Sequence, residues 1–135
     1  VAFETSLFIN LPVEDLDRTK AFFAALGFSF NPQFTDEKAA CLVLGKTNFA
    51  MLLRKEFFGS FTGKDIIDAR KSTELITAIS VESRAKVDEL AEAALRSGGS
   101  PSGSPSDLGF MYTRSFQDPD NHNWEVFWMD PTHVQ

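Results

Sequence analysis

A repeat constrains this chain more than any other feature. Phe8-x-Asn10-x-x-Val13-Glu14-Asp15 is echoed by Ile76-x-Ala78-x-x-Val81-Glu82-Ser83, each position 68 residues on (8 to 76, 15 to 83). In both copies a short apolar segment runs into a residue suited to start a helix. Within residues 5–11, Leu7, Ile9 and Leu11 alternate with Phe8 and Asn10, the period of a strand. After Pro12 and Glu14-Asp15, the side chains Leu16, Thr19, Phe22, Phe23 and Leu26 fall on one face of a helix over 15–26, which Gly27 can stop. Residues 28–34 read as extended, and 40–44 and 48–53 as a hairpin across Gly45-Lys46-Thr47.

The order then restarts. Residues 75–81 read as a strand, and Ser83 caps a helix over 84–96 with Val87, Leu90, Ala91, Ala94 and Leu95 as its buried stripe. Residues 111–116 and 123–129 form a second hairpin across Asp118-Pro119-Asp120-Asn121. The expected fold is therefore α+β, two tandem βαβββ modules within one domain: module one at 5–54, an excursion at 55–74 with a helical turn near 65–70, and module two at 75–130. Residues 97–106 are all Ser, Gly or Pro and read as a long loop, because too few residues follow to build a second core. A four-stranded unit with one helix has only one face covered. The other must bind something, pack on its twin or meet water.

Composition narrows the function classes. The net charge of −6 makes nucleic acid and anionic membranes poor partners. A single cysteine, Cys41, excludes an intrachain disulfide, and two histidines, His122 and His133, exclude a three-His metal site in one chain. No apolar run approaches the ~18 residues of a membrane span, and no signal-like segment opens the chain, so a soluble cytoplasmic protein is expected. Val1 in place of Met suggests a trimmed or modified start.

Two motifs resemble a known family. The segment Asn10-Leu-Pro-Val-Glu-Asp-Leu-Asp-Arg-Thr-Lys-Ala-Phe-Phe-Ala-Ala-Leu-Gly-Phe28 is similar to the opening strand and helix of the vicinal oxygen chelate superfamily: glyoxalase I, bleomycin-resistance proteins and extradiol dioxygenases. Asp118-Pro119-Asp120-Asn121-His122-Asn123-Trp124-Glu125 resembles the closing Asp-Pro-Asp-Gly-x-x-x-Glu hairpin of that family. Gly109-Phe-Met-Tyr and His-x-Trp-Glu look like a subgroup described as lactoylglutathione lyases. The resemblance implies a cupped, eight-stranded mixed sheet and a homodimer. It also implies metal ligands drawn from the first and last strands of each module. Carried over residue by residue, those positions are Phe8 (with Asn10 next on the same face), Ala50, Ile76 (with Ala78 next) and Glu125. Only Glu125 is a good ligand and Asn10 a weak one, whereas zinc takes about four donors and hard cations several oxygens.

Each candidate residue also has a plainer reading. Cys41 fits a strand core, Trp124 and Trp128 fit packing on the helices, and His122 and Asn121 fit the turn itself. Phe57, Phe58 and Phe61 are too dense for an ordinary loop and either cap a cavity, bury in a dimer contact or anchor the excursion. Arg114 could pair with Glu125, meet an anionic ligand or be solvated.

The resulting expectation is a protein that binds a small apolar or aromatic molecule in the cup without a metal cofactor. Phe8, Asn10, Phe57, Phe58, Phe61, Arg114 and Glu125 would contact the ligand, with Glu125 the one catalytic candidate. The alternative is a lyase, isomerase or dioxygenase using a divalent ion on Glu125 and Asn10. A third reading is a dimeric module whose cup is filled by its own side chains.

Overall fold

The structure, a computed structural model, describes residues 3–133; Val1 lies outside them. It divides into two compact units that meet between Ile67 and Asp68. The α+β class and the repeated strand–helix–strands order are as expected, but the strands form two sheets, of four and five strands.

The first unit contains β1 (Leu7–Val13), α1 (Leu16–Ala25), β2 (Ser29–Asn31), β3 (Ala39–Val43), β4 (Asn48–Arg54) and α2 (Lys55–Gly59). Its sheet order is β1-β4-β3-β2, with β1 parallel to β4 and the other pairs antiparallel. Asp15 caps α1 by accepting a hydrogen bond from the Arg18 amide at 3.1 Å. The stripe Leu16, Thr19, Phe22, Phe23 and Leu26 is buried as the periodicity predicts. Gly27, at φ 97°, takes the left-handed turn after the helix. The helical turn expected near 65–70 lies instead at α2, directly after β4. There the Ser60 amide donates to the Phe57 carbonyl and the Phe61 amide to the Phe58 carbonyl.

The second unit contains β5 (Ile76–Ser80), α3 (Arg84–Arg96), β6 (Ser100–Pro101), β7 (Ser106–Asp107), β8 (Met111–Gln117) and β9 (Asn123–Met129). Its order is β5-β9-β8-β6, with β7 also on β8 and β5 parallel to β9. Each unit therefore pairs its first strand in parallel with its last, the βαβββ arrangement. The Ser-Gly-Pro run is not wholly a loop. Its two ends supply β6 and β7, both on the outer edge of β8. Proline and glycine are tolerated there because an edge strand need not donate on its outer side. Along α3 the Ser83 hydroxyl caps the Lys86 amide at 3.1 Å, and Val87, Leu90, Ala91 and Ala94 are buried. Leu95 is 37% exposed, contrary to expectation, and Ala93 is buried instead. At 100° per residue Leu95 sits about 80° from Val87, at the margin of the stripe.

Among the described residues no helix is long and apolar enough to cross a membrane.

Candidate functional site: the uncovered sheet faces

Strand alternation and register assign every strand residue to a face. In the first unit Leu11, Val13, Ala40, Leu42, Ala50 and Leu52 are buried on the side of α1. Phe8 and Asn10 point the other way, beside Phe49 and Met51 of β4. The Phe8 and Phe49 rings stack at 4.8 Å between centroids. Ala50 therefore does not share a face with Phe8 and Asn10. It lies in register with Ile9, fully buried, and the residue beside Asn10 is Met51. Cys41, in register with Met51, is buried, and burial pushes its thiol pKa up. The Asn10 amide makes a long 3.4 Å contact to the Phe8 carbonyl.

In the second unit Thr77, Phe116, Trp124 and Val126 are buried on the α3 side. Glu125 lies on the opposite, uncovered face, half-buried, between Ala78 of β5 and Ser115 of β8. Among the described residues its carboxylate has no hydrogen-bond or ion-pair partner. The nearby polar side chains are already engaged. Ser115 donates through its hydroxyl to the Ser102 carbonyl. Asn123 donates to Thr73 at 2.8 Å and accepts from Gln117 at 3.3 Å.

Arg114 does not join this group. It sits on the helix side of β8, in register with Val126, and pairs with Glu92 at 2.8 Å and Asp88 at 3.2 Å, both on α3. Burial alone would lower its pKa, but the two carboxylates hold it above the usual arginine value. Asp88 is held below the carboxylate range, first by the Tyr112 hydroxyl at 2.6 Å and then by Arg114. Arg84 is similarly committed. It grips Asp107 at 2.9 Å and 3.0 Å, donates to the Gly109 carbonyl, and lies over the Tyr112 and Trp128 rings. Its guanidinium lowers the Asp107 pKa to about 2.

The Asp-Pro-Asp turn is structural. Asp118 is 1% exposed and accepts from the Trp124 indole at 2.9 Å, the Asp120 amide at 2.8 Å and the His122 amide at 3.1 Å. Burial nonetheless raises its pKa, opposed by His122 and those donors. Asn121 takes φ 66°, a conformation Asn tolerates better than most residues. The phenylalanines of the excursion are on α2, not on a strand face. Phe57 packs edge-on against Phe61 at 5.0 Å and lies beneath the Lys38 ammonium, Phe58 is half-buried, and Phe61 is 69% exposed.

The expected site residues thus separate into four groups, with Phe57, Phe58 and Phe61 at α2. Phe8 and Asn10 share the first unit's face away from α1, where Ala39, Cys41 and Leu53 are buried but Phe8 is exposed, Glu125 stands on the uncovered face of the second unit, and Arg114 is on the helix side. Residues 5–45 match the family model described as bleomycin resistance protein-like N-terminal. A hypothetical protein from S. aureus superposes with a TM-score of 0.79 at 24% identity, over 94% of this chain and 95% of that one. A glyoxalase/bleomycin resistance protein/dioxygenase family enzyme from Burkholderia phytofirmans gives 0.73 at 16% identity, over 90% and 96%. The fold is that of solved glyoxalase/bleomycin resistance protein/dioxygenase structures. Fosfomycin resistance protein FosX from Mesorhizobium loti shares it with a TM-score of 0.67 at 16% identity, over 97% of both chains. A search of curated proteins finds no match.

The family resemblance implies a metal ion, so the donor set can be tested against one. Register makes Met51 the first-unit counterpart of Glu125, since Asn10 pairs with Met51 as Ala78 pairs with Glu125. The first-strand positions are Phe8 and Ile76. The first unit offers a thioether and a phenyl ring at these positions and the second a carboxylate and an aliphatic chain, and neither set satisfies a zinc or a hard divalent cation. Among the described residues no three His, Cys, Asp or Glu side chains gather elsewhere as an alternative site.

Proposed function

We propose that this protein binds a small, largely apolar or aromatic molecule against its uncovered sheet faces without a metal cofactor, with Glu125 orienting the ligand. The supporting observation is the residue content of those faces. The positions a metal-dependent relative would fill with donors hold Phe8, Met51 and Ile76, leaving one carboxylate. Apolar walls with a few placed polar groups are the usual make-up of small-molecule sites. Phe8 is 44% exposed and Ile76 56% exposed, so apolar surface is available there. On the first unit's own face Asn10 is the polar group beside Phe8. We also propose a homodimer, as the family resemblance implies, which light scattering of the purified chain would test.

The test of binding is a thermal-shift screen with aromatic metabolites and drugs, followed by calorimetry on the hits. At least one class of aromatic compound should raise the Tm, and Phe8→Ala or Glu125→Ala should reduce the shift without unfolding the chain. A broad panel that leaves the Tm unchanged would remove this reading.

A further inference from the structure

We infer that the Glu125 site selects ligands that carry a protonated amine beside their aromatic body, in preference to neutral or anionic ones. The inference rests on the binding function proposed above and adds the charge of the ligand.

The first ground is a charge census by face. On the strands of both sheets, among the described residues, the uncovered faces carry no Lys, Arg or His, and Glu125 is their only charged side chain. The cation nearest in the second sheet, Arg114, is one strand position from Ser115. It is turned to the helix side and held there by Asp88 and Glu92. Arg84 is held by Asp107. A phosphonate or carboxylate ligand at Glu125 would therefore meet one negative charge on the strands of the second unit's face and no positive one, whereas an ammonium meets its complement.

The second ground is hydrogen-bond supply. Glu125 stands in the middle of its face, flanked across the sheet by the short side chains Ala78 and Ser115, which leave room beside the carboxylate. The nearest donors are directed elsewhere: the Ser115 hydroxyl to Ser102, and one N–H each of Gln117 and Asn123 to Asn123 and Thr73, with none to Glu125. A carboxylate covered by a ligand without gaining donors loses its hydration uncompensated, so the ligand itself must bring them. An amine supplies both the donors and the charge, and Phe127, next along β9 on the same face, offers a ring for the apolar body and the cation.

Three indoles of similar shape test this: tryptamine (cation), tryptophol (neutral) and indole-3-acetate (anion), each titrated calorimetrically at pH 7 into the full chain and into Glu125→Gln. Tryptamine should bind about tenfold more tightly than tryptophol, with indole-3-acetate weakest. Glu125→Gln, which keeps the side-chain shape, should bring tryptamine down to the tryptophol level and leave tryptophol unchanged. Equal binding of all three would overturn the charge preference while leaving the aromatic-binding function intact. Tryptamine binding unaffected by Glu125→Gln would overturn the placement of the site. If no indole binds either protein, the preference falls, and the function beneath it falls with it only where the broad thermal-shift panel is also silent.

Discussion

The two units solve one packing problem in opposite ways. In the first, the helix brings the bulk. Phe22 and Phe23 of α1 are buried at 1% and 0% exposure, and β4 answers with the small Ala50. In the second, the strand brings it. Trp124 occupies the position equivalent to Ala50, in register with Thr77 as Ala50 is with Ile9, and α3 answers with Ala91 and Ala94. Close-packed interiors need large and small residues to face one another, and either element can supply either one. The choice has a consequence for the turn. Phenylalanine has no polar group to satisfy, but a buried indole N–H needs an acceptor. Asp118 provides it at 2.9 Å. The Asp-Pro-Asp segment, a family-like motif in the sequence, is thus explained by the core it serves.

That contrast can be broken in graded steps. Trp124→Ala should have the largest effect, a loss of about 3–5 kcal/mol in unfolding free energy from the cavity it leaves, measured by urea denaturation. Asp118→Ala should cost about 2–3 kcal/mol, because it removes the carboxylate that accepts from the buried indole and two backbone N–H groups. Its pH dependence has a definite sign. A carboxyl whose folded pKa is raised binds protons more readily when folded. Asp118 therefore favours the folded state most below the unfolded value of about 3.9, and that contribution fades as pH rises through the higher folded value. Comparing wild type with Asp118→Asn from pH 3 upward should reveal a component of this slope in the wild type only.

Smaller changes sharpen the comparison. Arg114→Ala should cost roughly 1 kcal/mol through loss of two partly exposed ion pairs and should leave aromatic-ligand binding unchanged, since Arg114 faces α3. Weakened binding would contradict its placement. Thr77→Val should stabilise by up to about 1 kcal/mol. The Thr77 hydroxyl is buried without a partner among the described residues, and its counterpart 68 positions earlier is Ile9. A lower Tm would mean that the hydroxyl finds a partner after all. The smallest effect is local. The Asp107 carboxyl should titrate near 2 by NMR and return toward the ordinary aspartate range in Arg84→Met. Because the Asp107 pKa is depressed, whatever stability this pair gives is present above about pH 4 and lost as pH falls toward 2.

Much of the fold is legible in the sequence because its signals are local. The caps Asp15 and Ser83, the α1 stripe, the Gly27 stop and the period-two strands each act over a few residues. The edge strands β6 and β7 are not legible. Two residues each, set among Ser, Gly and Pro, they owe their extended form to pairing with β8 rather than to their own side chains. The site is legible only in part for the same reason. Sequence spacing singles out Glu125, and alternation puts Phe8 and Asn10 on one face. The assignment of Ala50 fails because the face that β4 shows depends on its register with β1, which no motif in the sequence specifies. Arg114 carries a signal that could have been used: the Asp88 and Glu92 pair, four residues apart on α3, forms an acidic stripe that calls for a cation opposite.

The proposed metal independence is tested most directly by titrating Mn²⁺, Ni²⁺ and Zn²⁺ calorimetrically into chain purified without a histidine tag, alongside Glu125→Ala. No stoichiometric uptake that depends on Glu125 is expected for any of the three. One ion per chain bound by the wild type, and lost in Glu125→Ala, would contradict the proposal.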